Sequence, residues 1–130
     1  MKSRSSIVFA LTIFVVVAGS VWAHHNMSAI FDFNDRVTLT GTLDKYDWRN
    51  PHIELMVEVK DQDKVETWKI EGPAPGFFRD RDVAKADFEG AVGKSVKFEA
   101  SRARDGSKWG LLRTMSLPGG KLVSACPQNC

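Results

Sequence analysis

His24, His25 and His52 are the only histidines in the sequence, and their positions suggest one kind of chemistry. Val21-Trp22-Ala23 places small residues at the −3 and −1 positions of a signal-peptidase site. Cleavage after Ala23 makes His24 the first residue, with a free α-amine beside its imidazole. An amine and an imidazole from one residue can chelate a metal ion, and a second histidine completes a T-shaped set of nitrogen ligands. Nitrogen-rich, tetragonal coordination suits Cu(II) best, by ligand type and by the usual affinity order. His52 is the expected second ligand, and His25 is a substitute or additional one. Cleavage at the other candidate site, after Ser20, would remove the amine argument. The bland reading stands beside this one: adjacent histidines at a terminus bind stray metal, and a turn histidine can simply hydrogen-bond its own loop.

A second set of residues suits a different ligand. Trp48 and Arg49 flank the turn between the first two expected strands, while Arg102, Arg104 and Trp109 flank the turn between the last two. Arginines beside indoles can hold a small anionic molecule, a glycan or a partner protein through charge-assisted hydrogen bonds and stacking. The competing reading is that Trp48 and Trp109 pack over the end of the fold with arginine stems across them. Ser28 and Ser107 lack the glycine context of a nucleophile elbow, and Gly93-Lys94-Ser95 lacks the upstream glycine of a phosphate loop. The acidic residues have no spacing that singles out a general acid and base. No catalytic residue is expected; a copper-dependent redox enzyme is the remaining enzymatic class, since an open metal position can activate oxygen.

Alternation of apolar and polar residues defines the elements that must position these groups. Val37, Leu39 and Leu43 alternate with threonines, and Ile53, Leu55, Val57 and Val59 alternate with polar residues on the far side of Asn50-Pro51. Pro51 fixes its own φ and keeps Asn50 out of the helical region, so Val37–Trp48 and His52–Lys60 form a long hairpin. Gly41, and a shift of inward parity at Tyr46 and Trp48, predict a bulge or bend in the first strand. Val65–Glu71 is a third strand. Gly72-Pro73-Ala74-Pro75-Gly76 breaks the sheet, and Phe77–Phe88 is one short helix or two helical turns. Ser95–Arg102 and Trp109–Leu117 are strands four and five, joined at Asp105-Gly106. The lead-in His24–Asn34 is expected to be irregular. The whole reads as mainly β, a small five-stranded OB-like Greek-key barrel with one short helix between strands three and four.

Composition sets the compartment and excludes one partner class. Lys2 and Arg4 precede the charge-free apolar run Ile7–Ala18, which is short for a membrane span, so residues 1–23 read as a signal peptide and the mature chain as periplasmic or secreted, without stable membrane insertion. The full chain has 18 basic and 16 acidic side chains; loss of Lys2 and Arg4 brings the two into balance. A neutral chain lacks the basic footprint of a nucleic-acid binder. Residues 24–122 are the expected domain. Residues 123–130 are a tail whose Cys126 and Cys130 suit a small disulfide loop in an oxidising compartment, with a thiolate metal site or an intermolecular bridge as alternatives.

Ala23-His24-His25, Ser28, Phe31-Asp32, Val37-Thr38-Leu39-Thr40-Gly41, Trp48-x-Asn50-Pro51-His52, Glu71-Gly72 and Arg102-Ala103-Arg104-Asp105-Gly106-Ser107 together resemble a family of small exported bacterial proteins of unknown function. Members typically read Ala-His-His-Ser, whereas Asn26-Met27 precede Ser28 here. The resemblance implies export and one small β domain, and no activity.

Overall fold

The computed structural model describes residues 27–126. Met27–Ile30 is a single helical turn. The lead-in is therefore shorter than expected, because the first strand, β1, already begins at Phe31 and runs to Asp47. Phe31 is fully buried and pairs with Ala103, after which the register slips before resuming at Arg36 opposite Ser101. Phe31 and Phe33 alternate with Asp32 and Asn34, but Asn34, Asp35 and Arg36 then break the alternation before Val37, across the slip.

Five further strands follow: β2 (Glu54–Asp61), β3 (Lys64–Glu71), β4 (Ser95–Ala103), β5 (Trp109–Ser116) and β6 (Leu122–Ser124). β1 is long enough to serve two neighbours. Its middle pairs with β4, from Arg36 to Thr42, and its end pairs with β2, from Thr42 to Asp47. The expected irregularity is present as a register shift between Leu43 and Lys45. Gly41 sits at the changeover because nothing larger fits there: the space its Cβ would take is held by the Glu58 carbonyl and a Val57 methyl. β3 then pairs in parallel with the start of β5, Lys69 opposite Trp109 and Glu71 opposite Leu111. Since β5 also pairs with β4, backbone hydrogen bonding passes from β1 through β2, β3, β5 and β4 back to β1, a closed ring.

Inside the ring lies an apolar face: Leu43, Leu55, Val57, Trp68, Ile70, Val96, Phe98, Leu112 and Met115 are all buried, and the alternation in the sequence had marked Leu43, Leu55 and Val57 among them. Gly110 admits its neighbours to this core, since a Cβ there would stand 2.8 Å from that of Ala100 and 3.3 Å from Ile70 Cδ1. Burial of each large side chain in such a core stabilises the fold by roughly 1.5–3 kcal/mol.

Two details refine the expected pattern. Of the two alternatives for the segment 77–88, the structure has two pieces rather than one helix: Pro75–Phe78 is a 3-10 turn and Lys85–Glu89 a separate short helix. Between them Asp82 adopts a left-handed φ of 53°, which ends any helix through the charged stretch. Phe78 and Phe88, one from each piece, are both fully buried. The expected tail also contributes a sixth strand. Gly119 and Gly120, both at φ 88°, turn the chain back so that Val123 pairs with Met115 and is buried. Three residues are too few for an alternation to be visible.

Candidate functional site

Ladder register fixes which side chains share the outer face of β2, β3 and β5, because residues directly opposite one another project to the same side. Two rows cross these strands: Glu54, Glu71 and Leu111 in one, and Met56, Lys69 and Trp109 in the next. The ladder continues past β2 toward its turn, with Gly72 N–H donating to the Ile53 carbonyl at 2.9 Å and Ile53 N–H to that of Pro73 at 3.2 Å. This continuation places His52 two residues beyond Glu54 along the same chain, diagonal to Glu71. The turn before it contains a cis Asn50–Pro51 bond.

There the His52 imidazole meets a buried carboxylate. Nδ1 lies 2.5 Å from Glu71 Oε1, with the histidine side chain 39% exposed and the glutamate side chain 10% exposed. A buried ionised carboxylate needs such a donor, since an unpartnered one is costly in a low-dielectric setting. Nδ1 is the ring nitrogen that faces the carboxylate, and Nε2 is the one turned away from it. A carboxylate placed behind an imidazole in this way orients the ring, an arrangement that also supports histidines in metal sites. Beside the pair, Lys69 Nζ reaches Glu54 Oε1 at 2.9 Å and lies 5.1 Å from the centre of the Trp109 ring.

Glu71 was legible in the sequence only as the end of the third strand and as part of Glu71-Gly72. What buries it is the crossing of β3 onto β5 at this point, a non-local pairing that no local spacing encodes. Lys69 was not singled out for the same reason.

The other expected site residues lie in three places. His24 and His25 fall outside the described residues, as does Cys130; Cys126 is the last described residue, next to Ala125, whose N–H bonds the Arg113 carbonyl. Trp48 is packed, 5.5 Å from Phe78 and 5.4 Å from Phe88 between ring centres, and Arg49 beside it pairs with Asp47 at 2.9 Å. Arg102, Arg104 and Trp109 lie at the β4–β5 turn. Arg104 reaches Asp32 at 3.1 Å and Arg102 reaches Asp35 at 3.5 Å, around a cavity of about 270 Å³ also lined by Gly106 and Ser107. Trp109 meets Phe31 edge-on at 5.0 Å. Trp48 and Arg49 do not line that cavity, so the two halves of the expected ligand surface are separate. In the turn itself Asp105 accepts the Ser107 N–H at 2.9 Å, and hydrogen bonds from the Ser107 hydroxyl and backbone hold its carboxyl below the usual carboxylate value.

Among the described residues no group of three histidine, cysteine or acidic side chains is placed to hold a metal ion, and no helix is long and apolar enough to cross a membrane. His52 is the one histidine among the described residues. No curated protein and no solved structure matches the chain. A family model matches residues 12–113, a span that takes in both His52 and Glu71, and the chain belongs to that family, the family of unknown function DUF6152.

Proposed function

We propose that the chain is an exported, non-enzymatic binding protein on an OB-like Greek-key barrel, and that it holds a transition metal, copper first. The closed ring of strands, with short helices between β3 and β4, supports the barrel. The outer face of its second and third strands is where ligands of such barrels commonly sit, and His52 stands at the edge of that face. The observation that carries the metal reading is the Glu71 carboxylate against His52 Nδ1, which leaves Nε2 as the outward nitrogen. The remaining ligands are the α-amine and imidazole of His24, with His25 in reserve, once residues 1–23 are removed as a signal peptide. Nitrogen ligands of this kind favour Cu(II) over the other divalent ions of its row.

The second reading, a small anion, glycan or partner protein on the turn residues, has less support. Arg49, Arg102 and Arg104 each face an aspartate, and Trp48 is covered by two phenylalanine rings.

The experiment starts with protein exported and processed by a bacterial host. Intact mass fixes the N-terminus, and Cu(II) titration followed by electron paramagnetic resonance reports the ligands. The expected result is a chain starting at His24 with stoichiometric, nitrogen-rich binding that His52→Ala abolishes. Glu71→Gln keeps the ligands but weakens binding by about 10–100-fold, the usual effect of losing a supporting carboxylate. A different N-terminus, or binding indifferent to His52→Ala, sinks the reading.

A further inference from the structure

On the wall that carries His52, three carboxylates stand side by side, each held by its own basic partner. Ladder register sets Asp47 opposite Glu54, and Glu54 opposite Glu71. Arg49 holds Asp47 at 2.9 Å, Lys69 holds Glu54 at 2.9 Å, and His52 stands against Glu71. Like charges directly opposite one another on a sheet repel, so the row depends on those partners. The pairs are not equivalent. In the His52–Glu71 pair the glutamate side chain is only 10% exposed. In the Lys69–Glu54 pair both side chains are 36% exposed, and pairs of that kind contribute little in water. Lys69 also has a second resting place, since its ammonium lies 5.1 Å from the centre of the Trp109 ring. Glu54 can therefore exchange its partner without leaving Lys69 stranded. It sits two residues from His52 on the same strand, and residues at that spacing project to one face, about 7 Å apart.

We infer that Glu54 is a further ligand of the metal proposed at His52, and that Lys69 is the latch that holds it while the metal is absent; the inference rests on that reading of His52. The α-amine and imidazole of His24 and the imidazole of His52 make three nitrogen donors, which leaves one place in a tetragonal set. A carboxylate fills it with oxygen, and mixed nitrogen and oxygen donors in that shape suit Cu(II). A divalent ion on the imidazole attracts the carboxylate more strongly than a singly charged ammonium does, because the attraction scales with charge. Glu71 is already engaged by His52 Nδ1, and Asp47 lies on the neighbouring strand with a side chain one methylene shorter. In the described conformation Glu54 is bonded to Lys69, in keeping with the lack of a ready-made three-ligand group among the described residues.

The test is Cu(II) titration of the exported, processed protein, with affinity and the electron paramagnetic resonance spectrum read for each variant beside the parent. Glu54→Gln should weaken binding by at least about tenfold, the lower end of what even a supporting carboxylate costs, and should shift the spectrum as a charged oxygen donor is lost. Lys69→Gln should tighten binding about two- to fivefold, the range that release of an exposed pair allows. That gain should vanish in Glu54→Gln/Lys69→Gln, because a latch matters only while there is something to hold. Lys45→Gln removes the same charge from the same row, opposite Met56, where the ion-pair partner is Asp44 rather than Glu54, and it should change affinity little. An equal gain from Lys45→Gln, a gain that persists without Glu54, or a spectrum and affinity indifferent to Glu54→Gln would each overturn the inference. Those outcomes leave the reading of His52 standing so long as His52→Ala abolishes binding; if His52→Ala has no effect, both fall together.

Discussion

Trp48, at one end of the ring, lies between Phe78 and Phe88; Trp68, toward the other, lies beneath Arg102 and Lys108. The same residue type has opposite surroundings because the connections differ. Between β3 and β4 the chain is long enough to fold two short helical pieces back across the opening, and each brings a phenylalanine. The β2–β3 and β4–β5 connections are tight turns at Gln62-Asp63 and around Gly106, with nothing to spare for a cover. Loop length thus decides which end is filled with apolar side chains and which is left to charged ones. A closed end is where stability should concentrate, and an open end is where a ligand can enter.

The largest expected effect follows directly. Phe88 is fully buried and is shared by the helix, Trp48 and Phe78. Phe88→Ala should destabilise the protein by about 3–5 kcal/mol, the sum of lost burial and the cavity left behind. Equilibrium denaturation measures it. A loss below about 1 kcal/mol would mean that the helix and its phenylalanine are dispensable, and the contrast between the ends would collapse.

Next in size is the His52–Glu71 pair, on the flank of the closed end. His52→Ala leaves the Glu71 carboxylate buried without its donor, which should cost about 1–3 kcal/mol. Replacing both, as His52→Ala/Glu71→Ala, should cost less than the two single losses added together, because the orphaned charge is gone. Additive losses would show that the two groups do not act as a pair, and the argument for an oriented imidazole would lose its basis.

The helix that closes the ring is itself tied down by Asp87, and this link is sensitive to pH. Asp87 accepts the Ala84 N–H at 2.7 Å and the Lys121 ammonium at 2.9 Å, which together hold its carboxyl below the ordinary value of 3.8. The folded value is the lower one, so the unfolded chain binds the proton first. The stabilisation is fully present above the ordinary carboxylate value and is lost as pH falls through the depressed one. Asp87→Ala should cost about 1 kcal/mol near neutrality, as for loss of a helix cap. At a pH below the folded value the variant and the parent should be equally stable. A difference that persists in acid would assign the effect to packing rather than to the carboxylate.

Much of the ring was readable in advance because it depends on local alternation. The hairpin about Asn50-Pro51, the irregularity in β1, the third strand and the Asp105-Gly106 turn all follow from spacing within about ten residues of each other. What escaped notice depends on contacts between distant segments. Phe31 enters β1 only because Ala103 is there to pair with it, and Val123 becomes a strand residue only against Met115. The site divides in the same way. His52 stands out by residue type and by its place at the turn. Glu71 is marked in the sequence only as the end of the third strand, and only the surrounding strands show that it is a buried partner.

The smallest effect belongs to the open end. Lys108 is half-exposed, paired with Glu66 and poised over the Trp68 ring. An exposed ion pair and an exposed cation–π contact each contribute about 0.5–1 kcal/mol at most, and ordering a long lysine side chain offsets part of that. Lys108→Gln should therefore change stability by no more than about 0.5 kcal/mol, close to the limit of measurement. The same substitution at an end whose role is structural would resemble Phe88→Ala in kind if not in size. If Lys108→Gln destabilises by more than about 1 kcal/mol, the cation is part of what holds β3 against β5, and the open end is a second lid made of charge. If it does not, the residue is free of structural duty, and the open end differs from the closed one in kind as well as in size.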